Sequence, residues 1–264
     1  MDNVERWISH SRMSDTGRHD AAVAGLPQSI SALNGVVQGL IIHTDWLGAY
    51  GIDESRFARV SRETLPVAER LGLIQGADDR ALLARRPPAR RTVGTCRDFA
   101  LMLCGFLRDK GVAARLRCGF ADYFRDGWED HWVCEYWDRE TRSWRLSDAQ
   151  IDEVLRERCR IAFDPSDTPR QAFMTAGQAW AACRDGSSDP ARFGHGETTG
   201  LWFVKVNVVR DHFAINNREA SAWDGWRAAP ESSRIICDRD WTLLDNIAAC
   251  PEQPITNFDP DWTV

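Results

Sequence analysis

The chain has 264 residues, 43% of them hydrophobic, which is enough length and apolar content for one large domain or a core with a modest second lobe. Its formal net charge of -6 and the absence of a long basic tract disfavour nucleic acid and anionic membrane surfaces as partners. The start, Met1-Asp2-Asn3-Val4-Glu5-Arg6, is followed by no signal-type apolar run, and no later stretch approaches the ~18 apolar residues of a membrane span, so a cytoplasmic protein is expected.

Between residues 20 and 50 apolar residues recur at mixed helical spacing, and Ser31 to His43 reads as a helix, or the end of one, packed on the core. Gln38 is a candidate side-chain donor to an oxyanion, against the plainer reading of a polar residue on a wet helix face. His43, before Thr44-Asp45-Trp46, is a candidate substrate-binding residue lining a cleft, against that of a histidine satisfying a local hydrogen bond. Residues 54–84 read as about two amphipathic helices with Val60, Leu65, Val67, Leu71 and Leu73 as apolar positions. In Arg85-Arg86-Pro87-Pro88-Ala89-Arg90-Arg91 two prolines stop any helix. Its four arginines suggest either a cationic rim for an acidic substrate or a solvated loop.

Gly94-Thr95-Cys96-Arg97-Asp98 then opens the run Phe99 to Leu107, in which Phe99, Met102, Leu103 and Phe106 repeat at helical spacing. Thr95 is the expected N-cap, Asp98 its acidic capping-box partner, and Gly111 the stop. Cys96 therefore falls in the first turn, where the helix dipole favours a thiolate and unpaired N–H groups can receive an oxyanion. A lone cysteine before an apolar helix is also, and commonly, a small buried residue.

Three alternating segments follow, Ala114–Phe120, His131–Trp137 and Trp144–Asp148, and read as strands. Asp138-Arg139-Glu140-Thr141 suits a hairpin connection. If the turn is centred between Arg139 and Glu140, Trp137 faces Arg142, Val133 faces Leu146, and His131 faces Asp148, within reach of an imidazole–carboxylate hydrogen bond. The stretch Asp122 to Asp130 carries many aromatics and is expected to overhang a cleft, with Tyr123 and Trp128 as candidate substrate contacts. The eight cysteines show no CxxC spacing, and Cys104, Cys118 and Cys134 fall at apolar-type positions, so reduced thiols are expected in place of a disulfide frame or a zinc knuckle.

Beyond Gln150 helical segments and turns are expected, without a glycine-rich phosphate loop or a repeat. Gln171 to Cys183 reads as a helix, residues 186–200 as loop, and the apolar run Leu201 to Val209 as helix through Ile215. Trp180, Trp202, Trp223, Trp226 and Trp241 make this third rich in tryptophan, as core or as walls of a small-molecule pocket. Pro254 to Val264 reads as a loosely ordered tail.

Three blocks, Gly94-Thr95-Cys96-Arg97-Asp98-Phe99-Ala100, Asp130-His131-Trp132-Val133 and Leu146-Ser147-Asp148-Ala149-Gln150, resemble the Cys, His and Asp motifs of the transglutaminase-like superfamily, in that order, over roughly residues 90 to 152. The resemblance implies an α+β fold with a papain-like core, an antiparallel sheet packed on the nucleophile helix, and helical N- and C-terminal segments. The expected division is a helical region over 1–89, a catalytic core over 90–160 and a helical, Trp-rich region over 161–264. By the same resemblance Cys96 is the nucleophile, His131 the general base and acid, and Asp148 the orienting residue of an enzyme that passes an amide, ester or thioester acyl group to water or an amine. The implied partners are a small-molecule or peptide acyl substrate and an amine acceptor. No cofactor or metal is called for, and no oxygen-rich calcium loop is present in the sequence. The competing readings are a Cys96/His131/Asp148 metal site and a non-catalytic interaction domain on the same fold.

Overall fold

The computed structural model describes residues 4–57, 63–220 and 235–255. Val60, Trp223, Trp226 and the segment 256–264 lie outside them. Contacts divide the chain into two units, Met1–Leu116 with Val133–Pro169 and Arg117–Trp132 with Arg170–Val264. Helix and strand are mixed, an α+β composition. No helix among the described residues is long and apolar enough to cross a membrane.

The first unit contains α1 (Asp20–Ala24), α2 (Ile30–Leu40), β1 (Ile41–His43), α3 (Val67–Ala77), β2 (Thr92–Gly94) and α4 (Cys96–Asp109). The helix expected around Ser31 to His43 ends at Leu40, because Ile41 to His43 turn extended and pair in parallel with Thr92 to Gly94. Between 54 and 84 α3 is the one α-helix among the described residues; Glu54–Phe57 is a 3-10 turn. Helix α4 is buried from Arg97 through Arg108 and packs against α2. Its start and stop are those expected from sequence, with Thr95 as N-cap and Gly111 at φ 70° just beyond Lys110. Gly105 has a local reason: a Cβ there would stand 2.7 Å from the Ser14 carbonyl oxygen.

Strands β3 (Ala114–Ala121) and β4 (Trp128–Asp138) pass through both units. In the first unit β4 pairs antiparallel with β5 (Ser143–Ser147), and α5 (Glu153–Cys159) follows. Helix α4 reaches β4 through hydrogen-bonded thiols, Cys104 and Cys134; burial, then that bond, push the Cys134 thiol well above its ordinary range. None of the eight cysteines is in a disulfide.

The hairpin is real, but its register differs from the expected one. Trp137 faces Trp144, Glu135 faces Leu146 and Cys134 faces Ser147. The loop has four residues, because the Asp138 carboxylate accepts the N–H groups of Glu140 (2.9 Å) and Thr141 (3.3 Å), and Arg142 takes the left-handed conformation at φ 51°. The apex therefore moves one residue along the chain and the pairing by two. Continuing the count brings Asp148 level with Val133, so direct opposition to His131 does not follow from the hairpin. Side chains stay on their expected faces, since an even shift preserves the strand alternation.

The second unit holds β6 (Phe173–Thr175), α6 (Ala176–Arg184), β7 (Phe193–His195), β8 (Thr198–Thr199), α7 (Leu201–Ile215) and α8 (Asp238–Ala249). Its sheet runs β6-β3-β4-β7-β8. The expected antiparallel sheet is thus mixed, since β7 pairs with β4 in parallel. The helix expected from Gln171 begins at Ala176, preceded by β6, because Thr175 caps it with Gln178 in a capping box. Residues 186–200, expected as loop, include the short hairpin β7–β8. Phe120, Trp180, Phe193, Phe203, Phe213 and Leu244 centre the core here, so Trp180 is a core residue, with Trp202 and Trp241 packed at its edge.

Two predictions follow from this packing. Gly105→Ala should destabilise by about 1–3 kcal/mol, the usual cost of overpacking, measured by urea denaturation; unchanged stability would mean that α4 does not need its close approach to Ser14. The second concerns pH. His10 has both ring nitrogens against acceptors, Ser14 O at 3.0 Å and Asp109 Oδ1 at 3.2 Å, and the bond to Asp109 raises its pKa. Its contribution is fully present below the unfolded value of ~6.5 and is lost as pH rises through the folded one. Burial lowers His212, so its contribution is present above ~6.5 and is lost as pH falls toward the folded value. Hydrogen exchange, corrected for intrinsic rates, should show protection around His10 rising and around His212 falling between pH 7.5 and 5.5; changes of the same sign at both would contradict the assignment.

Candidate active site

Cys96 is the first residue of α4 and is half-buried. The turn around it is held from both sides. The Asp98 carboxylate accepts the Thr95 N–H at 2.7 Å and the Thr95 hydroxyl at 3.2 Å. Its other oxygen takes Arg70 at 2.7 Å, and the same guanidinium donates to the Val93 carbonyl at 2.9 Å. Arg70 and Asp98 are both almost fully buried. One cation thus ties the strand entering the turn to the helix leaving it, and Cys96 falls between the two attachment points.

His43 lies on the strand alongside: it is the register partner of Gly94. It is buried, and its Nδ1 accepts the Asp45 N–H at 3.1 Å, which puts the proton of a neutral ring on Nε2.

Asp148 belongs to a buried segment fastened by α2. Asn34 donates to the Ser147 hydroxyl at 3.0 Å, and Gln38, one turn along the same helix face, donates from Nε2 to the Ile151 carbonyl at 2.9 Å. The Asp148 N–H donates to the Pro165 carbonyl at 2.8 Å, while one of its carboxylate oxygens accepts the Gln150 N–H at 3.0 Å. Gln38 is therefore a strap for the loop that carries Asp148. Asn34 does the same work and was not singled out by its sequence context, which is that of an ordinary helix interior.

His131 sits on β4 in the second unit and is 2% exposed. Tyr123 and Phe124 both meet its ring edge to face, with centroids at 5.9 and 4.9 Å. Phe124 is the closer of the two and was not singled out among the aromatics of the 122–130 stretch. Trp128, expected in the loop, begins β4 and stacks on Phe193, with interplanar angle 12°.

Of the four arginines in the run, Arg86 and Arg91 are buried and Arg85 and Arg90 are exposed. Arg86 is 1% exposed and donates to the carbonyls of Asp78, Arg80 and Ala84. Arg91 is buried, donates to the Arg86 carbonyl, and lies with the more exposed Arg85 3.7 Å from the Asp152 carboxylate. The prolines force irregular backbone here, and arginine's several donors satisfy the carbonyls that the missing helix leaves open.

No family model matches the chain, and no curated protein matches it. A crystal structure from Cytophaga hutchinsonii, described as that of a candidate cysteine protease, is similar over 66% of this chain and 46% of its own, with 14% identity and a TM-score of 0.38. The chain spans about half the length of that protein.

Among the described residues no group of three or more His, Cys, Asp or Glu side chains is arranged to hold a metal ion. The two units each carry part of the expected site: Cys96, Asp148, Gln38 and His43 in the first, His131, Tyr123 and Trp128 in the second.

Arg70→Met should cost about 3–5 kcal/mol, because it leaves the buried Asp98 carboxylate without its cation. Chemical denaturation reads this directly, and a loss below ~1 kcal/mol would show that the pair does not hold the turn.

Proposed function

We propose that this protein is a cysteine-dependent acyl-transfer enzyme in which Cys96 attacks a carbonyl carbon, forms a thioester and passes the acyl group to water or an amine. The observation that carries the reading is the position of Cys96: first residue of a capped, buried helix, half-accessible, with the backbone N–H groups of the first turn around it. That terminus favours negative charge on the sulfur and, after attack, on the carbonyl oxygen. His131 takes the proton and returns it to the leaving group, and Asp148 orients the imidazole and stabilises its charged form; these roles rest on the resemblance of the three motif blocks and their order. Gln38 acts through the Asp148 segment that it straps. His43, beside Gly94, Tyr123, against His131, and Trp128, stacked on Phe193, are the substrate-binding side chains of this reading. The acyl donor is a small molecule or peptide, and the protein acts in the cytoplasm.

Selective alkylation tests the central step. At pH 6 an ordinary thiol of pKa ~8.5 is almost wholly protonated. Burial pushes the Cys183 thiol up to about 11 and also raises Cys159. Cys250 is exposed at the C-terminal end of α8 and serves as the internal control. Iodoacetamide at pH 6 should label Cys96 ahead of Cys250; equal labelling of the two would overturn the proposal. Intact-mass analysis after incubation with acyl donors should show an adduct that Cys96→Ala lacks. Asp148→Asn should slow its formation by orders of magnitude, up to the ~10⁴ seen for the corresponding change in a serine triad.

A further inference from the structure

Helix α7 is buried along nearly its whole length, yet one of its faces is polar: Asn207, Arg210 and Asp211 are at most 6% exposed. Polar groups removed from water must find partners, and these three find them on β3, on β4 and on one another. Asp211 forms a two-point ion pair with Arg117, at 3.0 and 2.7 Å, and accepts the Cys118 N–H at 2.8 Å. Asn207 donates to the Gly119 carbonyl at 3.3 Å and to Asp130 at 2.8 Å. Arg210 reaches both oxygens of Asp130 at 3.3 Å and the Asn207 side-chain oxygen at 2.7 Å, and its guanidinium lies 5.0 Å from the centre of the Trp132 ring.

Asp130 and Trp132 are the neighbours of His131 on either side. Strand alternation turns them to one face of β4 and His131 to the other, where Tyr123 and Phe124 meet its ring. The helix thus grips the strand at positions 130 and 132 from behind, and the aromatic pair confines the imidazole in front.

We propose that Asn207 and Arg210 are positioning residues which, through Asp130 and Trp132, fix the backbone on both sides of His131 and so set the orientation of its ring. The proposal rests on the role given to His131 above. None of the three expected motif blocks contains a residue of α7, and the helix lies 70 residues or more beyond His131 in the chain. A histidine that relays a proton needs a fixed direction, and misplacement by ~1 Å is enough to lower a rate on the order of 10²-fold.

The test uses the whole chain with two readouts: the ring-nitrogen NMR signals of His131, identified by their loss in His131→Gln, and the pH profile of Cys96 alkylation. Asn207→Asp sets two carboxylates side by side, and Asp130→Asn takes the charged partner from Arg210. Each single change should move the His131 ring signals and their titration midpoint and lower Cys96 labelling at pH 6 by about 10-fold or more. The double change, Asp130→Asn with Asn207→Asp, keeps one amide, one carboxylate and the contact to Arg210, and should restore both readouts to near wild type. If a single variant fails to fold, Arg210→Lys, which keeps the charge but loses the planar fork, should give a smaller shift in the same direction. Folded variants whose His131 signals are those of wild type would overturn the proposal. Should His131→Gln leave Cys96 labelling unchanged, the catalytic role of His131 fails, while the ring signals still decide whether α7 positions it.

Discussion

The buried pair of Arg70 and Asp98 is the constraint on which the start of α4 depends. Asp98 divides its carboxylate between the Thr95 backbone and the guanidinium, and Arg70 divides its donors between Asp98 and the Val93 carbonyl. Gly94 belongs to the same arrangement, since a Cβ there would lie 3.0 Å from the Asp98 carboxylate and 3.1 Å from Ile41. The run from Gly94 to Asp98 is thereby one physical unit: a residue without a side chain where the carboxylate approaches, a capping threonine, the cysteine, and the acid that closes the turn. Most of its bonds are local in the chain, which is why the helix start could be read from sequence. The arginine that completes it comes from α3, where nothing in the pattern distinguishes it from a solvated charge.

The same limit explains other residues that sequence left unread, or in the case of Gln38 read in another role. Sequence patterning assigns polar residues in a helix to its wet face, a sound default for most surfaces. Here Asn34 and Gln38 on α2, and Asn207, Arg210 and Asp211 on α7, point inward and hold backbone or carboxylate groups of loops and strands. Polar residues that are buried are as a rule hydrogen-bonded, here to backbone or carboxylate groups whose position matters. The default therefore fails at the places where a segment has to be held still. The arginines of 85–91 fail it for a related reason, two of them serving irregular backbone that prolines keep from forming a helix.

Strands were legible in proportion to their length. Ala114–Ala121 and Trp128–Asp138 are long enough for alternation to show, whereas β1, β6, β7 and β8 have two or three residues each, too few for a period of two to register. Pairing is a separate matter. The hairpin register depends on how Asp138 folds its carboxylate onto the turn and on Arg142 accepting a left-handed backbone, and both are properties of the loop that the alternation of the flanking strands does not encode. What alternation does encode is facing, and it survived the two-residue shift. Asp130 and Trp132 on one side of β4 and His131 on the other follow from the strand alone; what waits on each side does not.

Buried ion pairs such as Arg70–Asp98 and Arg117–Asp211 are poor explanations of stability taken by themselves, because well-packed apolar residues of similar volume often do as well. They differ from apolar packing in direction. Replacing Arg70 and Asp98 together would remove the desolvation cost of both charges, yet it would also leave the Thr95 N–H and the Val93 carbonyl without the partners that fix the angle at which strand β2 enters helix α4. On α7, replacing Arg210 and Asn207 by leucines would preserve a buried face and release Asp130. Apolar contacts tolerate sliding by fractions of an ångström, whereas a shared carboxylate does not, so the polar groups are best understood as setting where Cys96 and His131 stand, with the apolar cores around them supplying most of the stability.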